Sequence, residues 1–224
     1  MDKLLEQIKS ITSQKESILS PFINPLKDTF EKYSINTPTR QAHFITQVAH
    51  ESGSFRYTEE IASGTAYENR ADLGNIISGD GIRFKGKGLI QITGRNNYKK
   101  LSGTFGVDFV SNPYLLKTPE WACKSAGWFW DSKKLNGHAD KNNFLTITYL
   151  INGGQNGLQE RLKFLVKSFK VFGVNDIQKI IDSTLLIIEN NIAATKNSHF
   201  QKMLFKAVPT RQIFNQLKDS IRFS

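Results

Sequence analysis

The sequence has a single cysteine and no long apolar run. Cys123 has no partner within the chain, which excludes an intrachain disulfide and suits folding in a reducing cytoplasm. No apolar stretch approaches the ~20 residues of a membrane span, and the first residues lack the apolar core of a secretory signal. We therefore expect a soluble protein that is made in the cytoplasm. If its substrate lies outside the cytoplasm, another system must export the protein.

Acidic residues are scarce relative to basic ones. Thirty Lys and Arg residues oppose 20 Asp and Glu residues, which gives a net charge of +10 and an isoelectric point of about 9.6. This balance predicts an anionic partner: nucleic acid, an acidic membrane surface or an acidic polymer such as the bacterial cell wall. The basic residues are spread along the chain and form no basic arm, which argues against nucleic-acid binding.

Apolar residues recur at helical spacing along most of the chain. The 224 residues, 39% of them hydrophobic, are enough to bury one core. One helical face is predicted from Leu4, Ile8, Ile11 and Ile18. A second short helix is predicted to begin at Asn24 and Pro25, and a third at Thr37 and Pro38, a capping residue followed by proline. Later helices are predicted near residues 96–101, 119–130, 144–151, 158–169, 177–188 and 213–221.

Glu51 occupies an unusual position in the third predicted helix. It lies in the last turn, seven residues after Phe44 and three after Val48, at the edge of the apolar stripe. The negative end of the helix dipole and partial burial both disfavour a carboxylate, so we expect a raised pKa for Glu51. A carboxyl group that stays protonated near neutral pH suits general-acid catalysis. The plain alternative is a solvated glutamate at a helix end.

The segment after Glu51 is rich in turn residues and glycines. Glu60 places a second carboxylate nine positions after Glu51, and residues 82–93 are predicted to run as an extended ribbon or short hairpin in which Gly86 and Gly88 allow close approach of a ligand. A phosphate-binding loop is rejected, because no apolar strand precedes these glycines and no Gly-Lys-Ser/Thr follows them. The aromatic residues of the helix at 119–130 are interpreted as core rather than as a sugar platform.

No metal or cofactor site is predicted. His43 and His50 are seven residues apart and have no apparent third ligand. We interpret His50 as structural, supporting the backbone of Glu51.

Several motifs in order resemble the glycoside hydrolase family 19 chitinase/endolysin domain. They are His-Glu-Ser-Gly at 50–53, residues 66–75, Gly-Asp-Gly at 79–81, the glycine-spaced run that ends at Tyr98, Leu-Asn at 135–136, Ile-Asn-Gly-Gly at 151–154, and Glu-Arg-Leu at 160–162. The resemblance covers about residues 37–172. It implies a mainly α, lysozyme-like fold of two lobes around a sugar cleft, with the ribbon near that cleft.

The resemblance also implies the organisation of the chain. Residues 37–173 would form the catalytic domain, residues 1–36 an N-terminal helical extension packed on it, and residues 174–224 a C-terminal helical extension.

Roles of individual residues follow from the same resemblance. Glu51 matches the general acid, Glu60 the general base, and Thr93 the hydroxyl residue that helps to hold the attacking water. Glu68 is a rival for the base, since loop length varies in the family, and Glu59 is a weaker one. Residues assigned to substrate binding or its support are Tyr67, Glu68, Gln91, Asn97, Tyr98, Asn152 and Arg161, the last within a charge network around the carboxylates.

The implied activity is that of an endolysin-type glycosidase, a bacteriolytic enzyme that hydrolyses β-1,4 bonds of peptidoglycan by an inverting mechanism. In such a mechanism one protonated carboxyl and one carboxylate lie ~6.5–9.5 Å apart. Alternatives are a chitinase, a lytic transglycosylase that can work with one glutamate, and a noncatalytic module that binds the wall or a partner. The positive charge favours murein over neutral chitin.

Expected partners are peptidoglycan strands and an anionic envelope surface, with Lys85 and Lys87 as contributing cations. No nucleic-acid partner and no membrane-spanning segment are expected. A holin or a secretion machine would release the protein to the periplasmic wall, and an injected effector would also have an immunity protein.

Overall fold

The computed structural model describes residues 2–154 and 156–175. Within them nine α-helices follow one another: α1 (Lys3–Thr12), α2 (Glu16–Lys32), α3 (Pro38–Glu51), α4 (Asp80–Arg83), α5 (Arg95–Phe105), α6 (Pro119–Ser132), α7 (Leu135–Asp140), α8 (Phe144–Asn152) and α9 (Leu158–Phe172). Short 3-10 turns occupy Thr65–Tyr67, Ala71–Leu73 and Pro113–Lys117. The expectation of a mainly helical fold is confirmed.

The expected ribbon is present in a reduced form. Lys87 pairs in antiparallel fashion with Glu59 on one side and with Ile92 on the other, as isolated bridges. The described residues contain no longer strand. Glycines at 86 and 88 keep this ribbon narrow, and Gly88 has a positive φ of 84°.

The prediction for the N-terminal helices is wrong in one respect. Ser13 adopts a left-handed conformation that ends α1, so Ile18 belongs to the next helix. That helix, α2, continues through Pro21 and Pro25 instead of starting at Asn24. Proline costs a helix about 3 kcal/mol in isolation. Here the apolar face of α2 is buried against the rest of the core, and this packing outweighs the local preference.

Helix α3 runs through the middle of the molecule. Thr37 caps its N-terminus by accepting from the amide of Arg40, and all residues from Ala42 to Ala49 are buried. Polar side chains inside this stretch are paired: Thr46 donates to Ser168 at 3.2 Å and Gln47 donates to Thr148 at 3.2 Å. A helix buried on all sides gives Glu51 a rigid support.

A single large core joins the helices at the N-terminus to the rest. Helix α1 packs on α9 and α2 packs on α6, and their apolar residues share one cluster with Phe44, Leu101 and Trp130. A second cluster lies between α3, α8 and α9 around Leu162 and Phe169. The domain boundaries stay a prediction, and residues 176–224 of the C-terminal extension lie outside the described residues.

The interpretation of Cys123 as a core residue agrees with its position. The thiol is fully buried, and burial raises its pKa above the ordinary value. Among the described helices, none is both long and apolar enough to cross a membrane.

Candidate active site

Glu51 is the last residue of α3, and Arg161 of α9 lies against it. The guanidinium donates through Nη2 to Glu51 Oε1 and through Nη1 to Gln47 Oε1. Its Nε donates to the carbonyl of Asn156 at 3.3 Å. Arg161 is almost completely buried, whereas the side chain of Glu51 keeps 19% of its surface exposed. The carboxyl group is therefore held from the protein side and open on the other.

The structure places Arg161 against Glu51, where the family resemblance expected a charge network around the carboxylates. The general-acid role of Glu51 stays a prediction.

His50 supports the end of α3 from the other side. Its Nδ1 lies 2.6 Å from Glu160 Oε2, and its ring packs so closely on Gly157 that a Cβ there would lie 2.1 Å from the ring. Burial and the nearby Arg161 lower the pKa of His50 against the opposing carboxylates. These contacts fix the end of α3 to the start of α9, in agreement with a structural role.

Glu60 lies on the ribbon, opposite Gly86. Its Oε2 accepts from the amide of Gly86 at 3.1 Å and its Oε1 from the hydroxyl of Tyr67 at 3.0 Å. The backbone amide of Glu60 in turn donates to the carbonyl of Gly86 at 2.9 Å. Burial and the bond to Glu60 raise the pKa of Tyr67. Glu60 thus has its two oxygens oriented by neutral donors, which suits a carboxylate that accepts a proton from water.

Glu59, the neighbour of Glu60, lies among three lysines. Its Oε2 is 2.7 Å from Lys117 Nζ, and its Oε1 is 3.7 Å from Lys87 Nζ and 4.0 Å from Lys85 Nζ. Burial raises the pKa of Glu59, but the three cations outweigh it and leave that pKa below its ordinary value. A carboxylate held this way is a poor base, so Glu59 is unsuited to the rival role.

The structure contradicts the expected contribution of Lys87 to wall binding. Its side chain is 1% exposed, and burial lowers its pKa to about 8 in spite of Glu59. Its Nζ donates to the carbonyl of Arg83. Lys85 Nζ donates to the carbonyls of Glu60 and Ala62 but keeps 17% of its side chain exposed, so its contribution stays a prediction.

Gln91, Thr93 and Asn97 line one side of a groove of about 450 Å³, which we call the central groove. Gln91 is a non-glycine residue with a positive φ of 56°, and its Oε1 is buried without a hydrogen-bond partner. A Cβ on Gly86 would lie 2.7 Å from that atom and 3.3 Å from Glu60 Oε2. Glu60 and Gln91 therefore flank Gly86, and Gln91 also lines the central groove.

The other groove residues are held by local bonds. Thr93 Oγ1 donates to the carbonyl of Gln91 at 3.0 Å, and Asn97 Nδ2 donates to the carbonyl of Thr93 at 2.8 Å. The hydroxyl and amide oxygens of these side chains remain able to accept from a ligand.

Three other predicted site residues have structural contacts. Glu68 accepts from the amides of Gly79 and Gly81 at 2.6 and 2.7 Å, so its carboxylate braces a loop. Tyr98 is fully buried and donates to the carbonyl of Lys85, which contradicts direct substrate contact. Asn152 bonds Gly154 and Asn156 within its own turn.

Three apolar residues of the central groove were not predicted to line it. They are Trp128 and Phe129 of α6 and Ile151 of α8. Their neighbours Gly127 and Trp130 are buried, whereas Trp128 and Phe129 are only partly so. Helical periodicity could have indicated these groove residues, because it places Trp128 and Phe129 at the margin of the buried face of α6.

The described residues thus provide two carboxyl groups with different surroundings, and a groove lined by amides, a hydroxyl and aromatic rings. Such a groove suits sugars, whose hydroxyl and N-acetyl groups need directional bonds and whose ring faces pack on aromatic surfaces. Among the residues that the structure describes, no cluster of His, Cys, Asp or Glu could hold a metal ion.

Comparisons with known proteins agree with this chemistry. The glycoside hydrolase family 19 model, described as chitinase class I, matches residues 39–146. A Haemophilus influenzae protein with a family 19 domain is 31% identical over 164 residues, which are 59% of this chain and 80% of that protein. An Arabidopsis thaliana endochitinase is 31% identical over 160 residues, and the match spans 53% of its length.

Solved structures share the fold. Chitinase C from Streptomyces griseus superposes with a TM-score of 0.63 at 22% identity, over 75% of each chain. A bacterial family 19 chitinase superposes with a TM-score of 0.64 at 20% identity, over 76% of this chain and 94% of that one.

Proposed function

Because this chain belongs to glycoside hydrolase family 19, we propose that it hydrolyses the β-1,4-linked amino-sugar backbone of murein. The observation that carries this proposal is the pair of differently held carboxyl groups. Glu51 is bonded to a buried cation at a rigid helix end, and Glu60 is oriented by neutral donors beside Gln91. Environments that differ in this way can assign acid and base roles to two chemically identical groups.

In the proposed mechanism Glu51 protonates the glycosidic oxygen. Arg161 binds Glu51 Oε1, so we assign the transferred proton to Oε2. The bond to Arg161 and the bond from Arg161 to Gln47 keep the carboxyl plane fixed. After proton transfer, Arg161 stabilises the carboxylate that results.

Glu60 activates the water in the same step. Its Oε1 and Oε2 already accept from Tyr67 and Gly86, and a carboxylate has further lone pairs for a water molecule. Thr93 contributes a hydroxyl oxygen to hold that water on the groove side. Attack from the face opposite the leaving group inverts the anomeric centre. A lytic transglycosylase needs no such water, so the presence of an oriented Glu60 favours hydrolysis.

Net charge supports murein as the substrate. The chain carries +10 charges, which attract anionic wall polymers but give no advantage on neutral chitin. The alternative is chitin, because several relatives have names that identify them as endochitinases. A third alternative is a noncatalytic module, against which the retained pair of carboxyl groups argues.

The test compares the two glycans directly. Purified murein sacculi and soluble chitin oligomers are incubated with the protein, and with Glu51→Gln as a control for contaminating hydrolases. We expect faster release of reducing ends from murein than from chitin. Cleavage of chitin alone would assign the protein to the chitinases, and cleavage of neither would support the noncatalytic module.

We also propose that the protein acts on the wall after release from the cytoplasm by a holin or a secretion system. The single, buried thiol is compatible with synthesis in a reducing compartment. Expression in a bacterium with and without an added export signal tests the need for release. Lysis is expected only with export, and lysis without it would contradict the proposal. Only an injected effector would need an immunity protein as partner.

A further inference from the structure

A second groove, of about 850 Å³, lies beside the central groove and is not used by the proposed mechanism. We call it the lateral groove. Six of its lining residues bear on its chemistry: Ile77, Ile82, Arg83, Arg95, Asn112 and Tyr114. The groove combines exposed apolar surface with a guanidinium and backbone polar groups, so it can hold a ligand that has both apolar and anionic parts.

The apolar surface is unusual for this protein. Within the described range six large hydrophobic side chains are exposed, and Ile77, Ile82 and Tyr114 of the lateral groove are three of them, at 55%, 54% and 66%. Ile76, at 72%, is adjacent in sequence. Exposed apolar residues gathered at one groove mark a binding surface more often than scattered ones do.

The charge in the groove comes from Arg83. Its Nη2 donates to the carbonyls of Val110 and Ser111 at 3.0 and 3.1 Å, which fixes the plane of the guanidinium. Within the part of the chain that the structure describes, no carboxylate lies within 4 Å of it, whereas Arg95 is paired with Asp80. Arg83 is therefore an exposed cation held by two carbonyls, with Asp108 near enough that hydrogen bonds from Ser111 and, to a smaller extent, the charge of Arg83 lower the pKa of Asp108. Carboxylates bind the guanidinium fork well.

The lateral groove is built partly from segments that also line the central groove. Leu73 and Thr93 line the central groove, whereas Ile77 and Arg95 line the lateral one. Thr93 and Arg95 are two residues apart, so their Cα atoms are separated by at most about 7 Å. The segments 73–77 and 93–95 thus each contribute a residue to both grooves.

We propose that the lateral groove binds the acidic peptide branch of murein while the glycan occupies the central groove. This rests on the proposed function. The branch carries free carboxylates, which match Arg83, and alanine methyl groups, which match the isoleucines and Tyr114. An extended peptide of five residues spans roughly 17 Å, enough to leave the glycan beside Thr93 and enter the lateral groove. Chitin has no such branch, so the groove provides selectivity between the two glycans.

The test uses murein glycan with its peptides and the same glycan after an amidase has removed them. Arg83→Gln should lower kcat/KM on the peptide-bearing glycan by about tenfold, the usual size for loss of a charged hydrogen bond. It should leave kcat/KM on the peptide-free glycan unchanged. Tyr114→Ala, at a highly exposed position, should act in the same direction and should not endanger folding. Lys167→Gln, which removes an exposed charge on α9, is the matched control and should change neither.

Binding of the isolated murein tetrapeptide to the full-length protein is measured by calorimetry, because it does not depend on cleavage. Binding that Arg83→Gln weakens would support the lateral groove even if the protein failed to cleave murein, an outcome that would overturn only the proposed function. Two results would overturn the inference while leaving murein hydrolysis in place, if Arg83→Gln also leaves tetrapeptide binding unchanged. One is an equal effect of Arg83→Gln on both glycans, and the other is no effect on either glycan.

Discussion

Arg161 donates directly to Glu51, although 110 positions separate the two residues in the chain. The same guanidinium bonds Gln47 one turn earlier on α3, so one buried cation orients the Glu51 carboxyl and the helix that carries it. This arrangement ties the position of the proposed general acid to the packing of α3 on α9.

Replacement of Arg161 should therefore cost both stability and activity. In Arg161→Met the Glu51 and Gln47 oxygens lose their donor, and we expect the free energy of unfolding to fall by about 2–3 kcal/mol, less than for a fully buried pair because Glu51 is partly exposed. Activity should be nearly lost. Arg161→Lys keeps the positive charge but lacks the paired N–H donors of the guanidinium. Its stability and activity should therefore lie between those of the parent and Arg161→Met. Denaturant unfolding and murein release check this, and an Arg161→Met protein of parental activity would contradict it.

Glu60 and Glu68 should respond differently to the same change. Glu60→Gln removes the base and should lower the rate by ~10²–10⁴. Glu68→Gln removes one acceptor from the Gly79–Gly81 loop and should cost about 1 kcal/mol of stability with most activity kept. Rates on murein sacculi and thermal unfolding of both variants provide the test. An inactive Glu68 variant beside an active Glu60 variant would assign the base to Glu68.

Glu59 should affect the rate through the position of Glu60. It pairs with Lys117 at 2.7 Å and lies on the same ribbon, so Glu59→Gln and Lys117→Gln should each lower kcat by about tenfold with little change in KM. The double variant should be no worse than Glu59→Gln alone, because the contact with Lys117 is already lost in that variant. Glu120→Gln breaks the exposed pair with Lys124 and serves as control. Additive losses, or a loss confined to KM, would argue against positioning.

His43 should make stability depend on pH. Burial lowers its pKa from 6.5 to about 4, although its bond to Asn142 opposes this. Between these two values the unfolded chain binds a proton that the folded protein does not, so stability falls as the pH drops from about 7 to 4, by at most about 3 kcal/mol. The glutamine in His43→Gln cannot titrate, and it keeps a polar group that can form a hydrogen bond with Asn142. The difference in unfolding free energy between parent and variant should shrink as pH falls, and a constant difference would contradict this role.

Local patterns predicted the helices with strong amphipathic faces, including α3, α6, α8 and α9. They also placed Glu51 at the end of a helix and at the edge of its buried face. They failed at α2, where burial of the apolar face outweighs the cost of Pro21 and Pro25 inside the helix. Helix propensity is a weak local preference, and packing of an entire apolar face can exceed it.

Contacts between distant residues limited the prediction of the site. A glycine-rich, cationic run suggested exposed lysines, but Lys87 is buried because the ribbon folds it beside Glu59, 28 positions earlier. Local terms likewise gave Glu51 no charged partner, and its contact with Arg161 of α9 was indicated by the family resemblance alone. Charge spacing in a sequence does not reveal such pairs.

The most direct measurement is mass spectrometry of the fragments that the protein releases from purified murein, with Glu51→Gln in parallel. Hydrolysis assisted by Glu51 and Glu60 predicts muropeptides with ordinary reducing ends, an initial α anomer, and almost no product from the variant. Fragments that end in 1,6-anhydro sugars, lighter by one water, would contradict a mechanism in which Glu60 activates water and would identify a transglycosylase.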